Sequence, residues 1–270
     1  MTTALNAAFT LTQDELQVLA ARVNIQGFPA VLGVRTRHAT IDALLAAQDA
    51  ATRRLAARGL ISDGAVEPDL IPLLQALQRP HRELAMRLVT PDGMSRVAIV
   101  RRGDLQLAAR RVGDQFTLRV LDGCAELPEV TRALVGELPR AQAAQFTPLP
   151  APLDAVGRYL AGTHDAAQLA DRVRALGADQ RTALTLGAAL ATRAAFAEIV
   201  YYALCSDQDR IARQPAAVGV FYTRQGRIVG SPTVSPSGQL WTTLKPGSEH
   251  ALAQAIGQLV ELSAERWERH

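Results

Sequence analysis

The 270-residue chain has little of what usually announces chemistry. It holds two cysteines, Cys124 and Cys205, far apart and with no second Cys or His at ligand spacing. That excludes a disulfide framework and a zinc knuckle. It holds one lysine, Lys245, so nearly every cation is arginine, and 29 Lys+Arg against 26 Asp+Glu leave a net charge of +3. A balance so near neutral is not the basic face that nucleic-acid phosphates require. It also lacks a long uncharged run. Its most apolar segment, Ala183–Cys205, is interrupted by Arg193 and Glu198, and Arg181 stands just before it. A membrane span needs roughly 20 apolar residues, so no membrane insertion is expected. No cationic start leads into an apolar run at the N-terminus, which points to the cytosol.

Catalytic signatures are missing as well. Ser231, Ser235, Ser237 and Ser248 share one Gly/Ser/Pro-rich stretch and His250 follows, but none sits in G-x-S-x-G. Ser235 and Ser237 flank Pro236 before Gly238, which is turn chemistry, and Ser248 stands where a helix N-cap belongs. A small serine hydrolase built on Ser231 or His250 is therefore a weak alternative. No G-x-x-x-x-G-K-[ST] is present. The five histidines, His38, His81, His164, His250 and His270, show no metal-binding spacing. Arg102–Asp104 spells RGD but reads as a hairpin turn. Catalytic, cofactor-binding and metal-ligating residues are all expected to be none.

What is present is regular patterning. Thr12 and Glu15 form a capping box ahead of a helix marked by Leu16, Leu19, Ala20 and Val23. Phe28–Arg35 reads as a short strand. Helices follow at Thr40–Arg58, stopped by Gly59, and at about Pro68–Gln78. Four strands make a meander, RELAMRLV, MSRVAIV, LQLAARR and FTLRVL, and LPEVTRALVGEL closes it as a helix. Four prolines mark 139–152 as a linker. Helices are expected at 153–161, 165–176 and 179–205. A second meander follows, AVGVFYT, RIVGSPTV and QLWTTL, and then a terminal helix with Leu252, Ala255, Ile256, Leu259 and Val260 on one face.

The two meanders resemble each other. LVTPDGMSRVAIV before LQLAARRVGDQ parallels VFYTRQGRIVGSP before QLWTTLKPGS, with an extra strand in the first half. The fold class expected is α+β, two related halves about a pseudo-twofold axis. A central, mostly antiparallel sheet would be flanked by helices, with a C-terminal helical bundle. The halves would be 1–138 and 153–270, in one compact unit.

Two non-enzymatic readings compete. Thr40–Arg58, Pro68–Gln78 and the Glu83–Val100 hairpin have the order of a winged-helix DNA binder. Yet PDLIPLLQALQR, the would-be recognition helix, offers Arg79 alone among cations and leads with an acid. An interaction surface fits better. Five of twelve aromatics, Phe196, Tyr201, Tyr202, Phe221 and Tyr222, fall where the last helix before the second meander meets it. A packed core or a partner face would account for them equally.

The chain resembles the EspG family of actinobacterial type VII (ESX) secretion proteins. The match runs through LTQDELQVLAARVNIQGFPAVL, ARGLISDGAVEPDL and RELAMRLVTPDGMSRVAIVRRGD to GVFYTRQGRIVGSPTVSPSGQLWTTLKPGS. The resemblance implies a cytosolic chaperone without catalytic activity or cofactor. It would bind a PE–PPE heterodimer at the hydrophobic PPE tip and keep it soluble and export-competent. It implies contact through the central sheet, the loop after its second strand and the helical bundle. On this sequence the loop is Thr90, Pro91, Asp92, Gly93, Met94 and Ser95. The bundle face would draw on Phe196, Ile199 and Tyr202, with Arg193 and Glu198 at its rim. Free, the chain is expected as a monomer or a weak homodimer through sheet edges.

Overall fold

The computed structural model describes residues 8–121, 126–205 and 208–268; Cys124 and His270 lie outside the described residues. In chain order its elements begin with β1 (Ala8–Thr12), α1 (Gln13–Arg22), α2 (Ile41–Ala57), β2 (Ile61–Ser62), β3 (Ala65–Val66) and α3 (Leu70–Gln78). The first meander is β4 (Arg82–Thr90), β5 (Gly93–Arg102), β6 (Leu105–Val112) and β7 (Gln115–Leu121), closed by α4 (Leu127–Val135). Then come β8 (Leu149–Pro152), α5 (Leu153–Leu160), α6 (Ala166–Ala175) and α7 (Gln180–Ala191). The second meander is β9 (Ala195–Cys205), β10 (Arg210–Arg213), β11 (Val218–Thr223), β12 (Gly226–Val234) and β13 (Leu240–Pro246), closed by α8 (Glu249–Glu261).

Local chemistry explains the helix starts. Thr12 and Glu15 form the expected capping box: the Thr12 amide donates to the Glu15 carboxylate at 2.8 Å, and the Glu15 amide donates to the Thr12 hydroxyl. The Ser248 hydroxyl accepts from the Ala251 amide at 3.1 Å and caps α8. Three expectations fail. Phe28–Arg35 is not a strand but an irregular segment with a 3-10 turn, Ala30–Leu32, ended by Gly33 at φ 59°. Its carbonyls are taken by arginines instead of a ladder: Arg96 donates to Val31, and Arg111 to Leu32 and Gly33. The stretch 139–152 is no free linker. It bonds to β12 through Ala144 and Gln142 on either side of Arg227, then enters the sheet as β8.

The third failure matters most. The helix expected over 179–205 stops at Ala191, and Ala195–Cys205 is strand β9. AFAEIVYYALC has no clean alternation because its less covered face also carries apolar and aromatic side chains, Phe196, Val200 and Tyr202, so periodicity cannot distinguish it from a buried helix. Its run of Phe, Ile, Val and Tyr is the strand signal. With β9 restored, the first meander no longer has an extra strand over the second.

The sheet runs in the order β1-β7-β6-β5-β4-β9-β11-β12-β13-β8, with β10 beside β11 along β9, and every strand pair is antiparallel. The pseudo-twofold axis passes between β4 and β9. Each half is a four-strand meander whose outer strand pairs with the strand that opened the half, β1 on β7 and β8 on β13. Both outer edges are blunted. Arg58 donates to the Thr10 carbonyl on β1 at 2.6 Å, and β8 reads Leu-Pro-Ala-Pro.

Alternation along the strands divides the core by face. Leu84, Met86, Leu88, Ile99, Ala197, Ile199, Tyr201, Val218 and Val220 point to one face, where α4 and α8 lie side by side over the axis. On the opposite face α1–α3 cover Ala98, Val100, Leu107, Ala109, Phe116 and Leu118. At the other end of that same face α5–α7 cover Ile228 and Leu244. A tail after α8 locks into the first face. Trp267 is fully buried beside Tyr201, whose hydroxyl donates to the Glu265 carbonyl at 2.8 Å. Arg82 and Arg101 hold the carbonyls of Arg266 and Trp267.

Candidate partner-binding surface

Two helix groups at opposite ends of one face leave its middle, around β4 and β9, the least covered: α7 reaches the edge of β11, and the 3-10 turn Ala30–Leu32 touches β4, β5 and β6. The register arranges that strip in cross-strand rows. Nearest the β4–β5 turn is an apolar row, Met94, Val89, Phe196 and Phe221. Val89 and Met94 are each 39% exposed. The Phe196 and Phe221 rings sit 5.0 Å apart, tilted by 46°. Phe221 is partly covered by the α5–α7 cluster; the rest of the row, in register on three strands, is costly to leave in water, at about 25 cal/mol per Å² of apolar surface.

The next row carries charge: Arg111, Arg96, Arg87 and Glu198, with Gly219 beyond. Glu198 accepts from Arg87 at 3.4 Å and diagonally from Arg213 at 3.5 Å. A further row is Ala98, Ala85 and Val200, and the last is Val100, Glu83, Tyr202 and Arg213. Glu83 is 4% exposed and its Oε1 has no hydrogen-bond partner. Burial pushes its carboxyl up to about 7. Burial, and secondarily the charge of Glu83, raises the Tyr202 hydroxyl.

The structure brings together most of the residues expected here. Thr90–Ser95 is a two-residue hairpin, Thr90 paired with Gly93 and Pro91–Asp92 at its tip. The Thr90 hydroxyl donates to the Gly93 carbonyl at 3.2 Å. Gly93 has φ 133°, a conformation glycine alone adopts freely. Behind the hairpin lies a cleft of about 830 Å³, toward Arg110, Glu137 and Pro139. Phe196, Glu198 and Tyr202 point onto the strip at period two. Ile199 does not. In a strand it faces the other side, fully buried under α8, so the expected i, i+3, i+6 helical face does not exist. Arg193 lies in the α7–β9 turn and is occupied by the carbonyls of Leu190 and Thr163 and by His164. Val89, Arg87 and Arg213 join the strip without a signal in the sequence, and Phe221 was expected only as one of the clustered aromatics. Their membership depends on strand pairing, which spacing along one strand does not contain.

The competing readings fare poorly against this geometry. The Ser231 hydroxyl is buried and donates to Gln258, while His250 lines a separate groove of about 620 Å³ between α4 and α8. The strands of the supposed wing, β4 and β5, are inner strands of the large sheet. The supposed recognition helix, α3, buries Leu70, Leu73, Leu74, Ala76 and Leu77 against the core. Among the described residues, no helix is long and apolar enough to cross a membrane.

The comparisons agree with one another. The EspG family model matches residues 12–258. The ESX-1 secretion-associated protein EspG1 of Mycobacterium tuberculosis is 27% identical over 265 residues, covering 93% of this chain and 86% of the relative. The ESX-3 secretion-associated protein EspG3 of Mycolicibacterium smegmatis is 28% identical over 260 residues, covering 93% and 86%. In three dimensions the chain is similar to the Mycobacterium tuberculosis type VII secretion system chaperone EspG5, solved in complex with a PE25-PPE41 dimer. The TM-score is 0.81 at 17% identity, over 98% of this chain and 100% of that one. A family match over nearly the whole length, on a fold of this pseudo-twofold form, makes the assignment: the chain belongs to the EspG family.

Proposed function

We propose that this chain is a cytoplasmic chaperone of type VII (ESX) secretion, not an enzyme. It binds a cognate PE–PPE heterodimer through the PPE subunit and covers that subunit's hydrophobic tip. The observation that carries the reading is the open row Met94–Val89–Phe196–Phe221 beside the Thr90–Ser95 hairpin, in a chain of this family. The complex solved for EspG5, a structure of the same fold, supports the choice of partner. Burying such a row against a partner's apolar tip removes two aggregation-prone surfaces at once, which is chaperoning in physical terms. Thr90–Ser95, Phe196, Glu198 and Tyr202 are the contact residues of this proposal, together with Val89 and Phe221. The free chain is a monomer or at most a weak homodimer; the blunted edges of β1 and β8 support this.

Co-expression of the chain with each PE–PPE pair of its own genome tests the reading. The expected result is one pair that co-elutes with it as a soluble ternary complex on a sizing column. Every pair eluting separately from the chain would overturn the proposal.

A further inference from the structure

The charged row on the open strip breaks a rule of sheet construction. Arg111, Arg96 and Arg87 are directly opposite one another on three adjacent strands, and like charges so placed are unfavourable. Arg111 and Arg96 are partly spent on the carbonyls of Val31, Leu32 and Gly33. Arg111 also stacks over the Phe116 ring at 5.1 Å. Burial first, then the charge of Arg96, lower the Arg111 guanidinium, partly offset by the carboxylate of Asp114. Carbonyls and rings leave the formal charge in place. Arg87 and Arg213, with side chains 50% and 46% exposed, are left to share the single carboxylate of Glu198 through two long contacts. Arg111 also feels the carboxylate of Asp114, so the shortfall of negative charge falls on Arg87 and Arg213, two guanidiniums on one carboxylate. The excess lies beside the apolar row, in the least covered part of that face.

Resting on the proposed function, we infer that Arg87 and Arg213 select the partner. The surface takes a protein tip whose apolar side chains sit next to a carboxylate, and that carboxylate docks on the two arginines that Glu198 only half neutralises. A second copy of this chain is a poor occupant, because a twofold contact would bring the same arginines face to face. A tip bearing lysine or arginine at that point is rejected for the same reason, so the row excludes as well as attracts. Steering by such a field acts mainly on the association rate and fades with salt.

The test uses the full-length chain and the PE–PPE pair that co-elutes with it, in surface-binding kinetics at about 50 and 300 mM NaCl, where the Debye length is about 14 and about 6 Å. The expected result is a wild-type affinity that falls on the order of tenfold at the higher salt. Arg87→Gln/Arg213→Gln should bind about tenfold more weakly at low salt, chiefly through association, with most of the salt dependence gone. Glu198→Gln should bind a few-fold tighter, since it frees both arginines. Unchanged melting temperatures verify the fold of these exposed variants. If the double variant binds as wild type does, with the same salt dependence, the inference falls; loss of binding by Phe196→Ala in the same series leaves the apolar row standing. A free chain that is dimeric, and monomeric with Phe196→Ala, assigns the face to a second copy and overturns the inference. Failure of every pair to bind removes the proposed function and the inference together.

Discussion

Glu83 lies in the row of Val100, Tyr202 and Arg213, 4% exposed and with one carboxylate oxygen unpartnered. Burial raises its carboxyl from the ordinary 4.5 to about 7. In the folded chain Glu83 keeps its proton over a pH range where the unfolded chain has lost it. The stability tied to that proton is complete below about 4.5 and is lost as pH rises through about 7. At 1.36 kcal/mol per unit the whole shift corresponds to roughly 3 kcal/mol, with most of it, about 2–3 kcal/mol, lost between pH 5 and 8. Glu83→Gln keeps the shape and removes the ionisation. Urea unfolding of both proteins at pH 5 and pH 8 isolates the effect, because other titrating groups cancel in the difference. The variant should gain on wild type by about 2–3 kcal/mol between pH 5 and pH 8. Parallel pH profiles for the two proteins would refute the reasoning, since the buried carboxyl would then find compensation that its surroundings do not display.

Two more expectations concern the first sheet face. Trp267→Ala empties a fully buried indole site beneath the tail and should cost about 3–5 kcal/mol, lowering Tm in a calorimetric scan by roughly 10 °C; a shift under a few degrees would show that the tail contributes little. Ile199→Ala should destabilise by about 2–5 kcal/mol yet leave partner affinity unchanged, whereas Phe196→Ala should do the reverse, as read by chemical unfolding and by co-elution.

Much of this molecule can be read from its residues, in places where the determinant is local. The Thr12–Glu15 box and the Ser248 cap act within one turn of helix, and their geometry is as the pattern implies. The β4–β5 hairpin follows from TPDG between two apolar runs. The α8 stripe, Leu252 to Val260, is buried throughout as its spacing requires. The failures come where the environment decides. Phe28–Arg35 has strand composition, but no neighbouring strand takes its backbone; Arg96 and Arg111, more than sixty residues on, do so.

The candidate surface divides along the same line. Two related meanders, each ending on an amphipathic helix, and an aromatic concentration around the start of the second are legible from spacing alone. So is the absence of any motif for catalysis or metal binding. Strand pairing alone assigns AFAEIVYYALC to a strand, because apolar side chains on both faces, the open one included, erase the periodicity that separates strand from helix. That one assignment turns Ile199 inward and Phe196 outward. It also lines Met94, Val89, Phe196 and Phe221 into an apolar row, with arginines from three strands in the next row. A row that crosses a sheet is a property of register, and register is set by long-range pairing and the packing of each face, not by spacing along the chain.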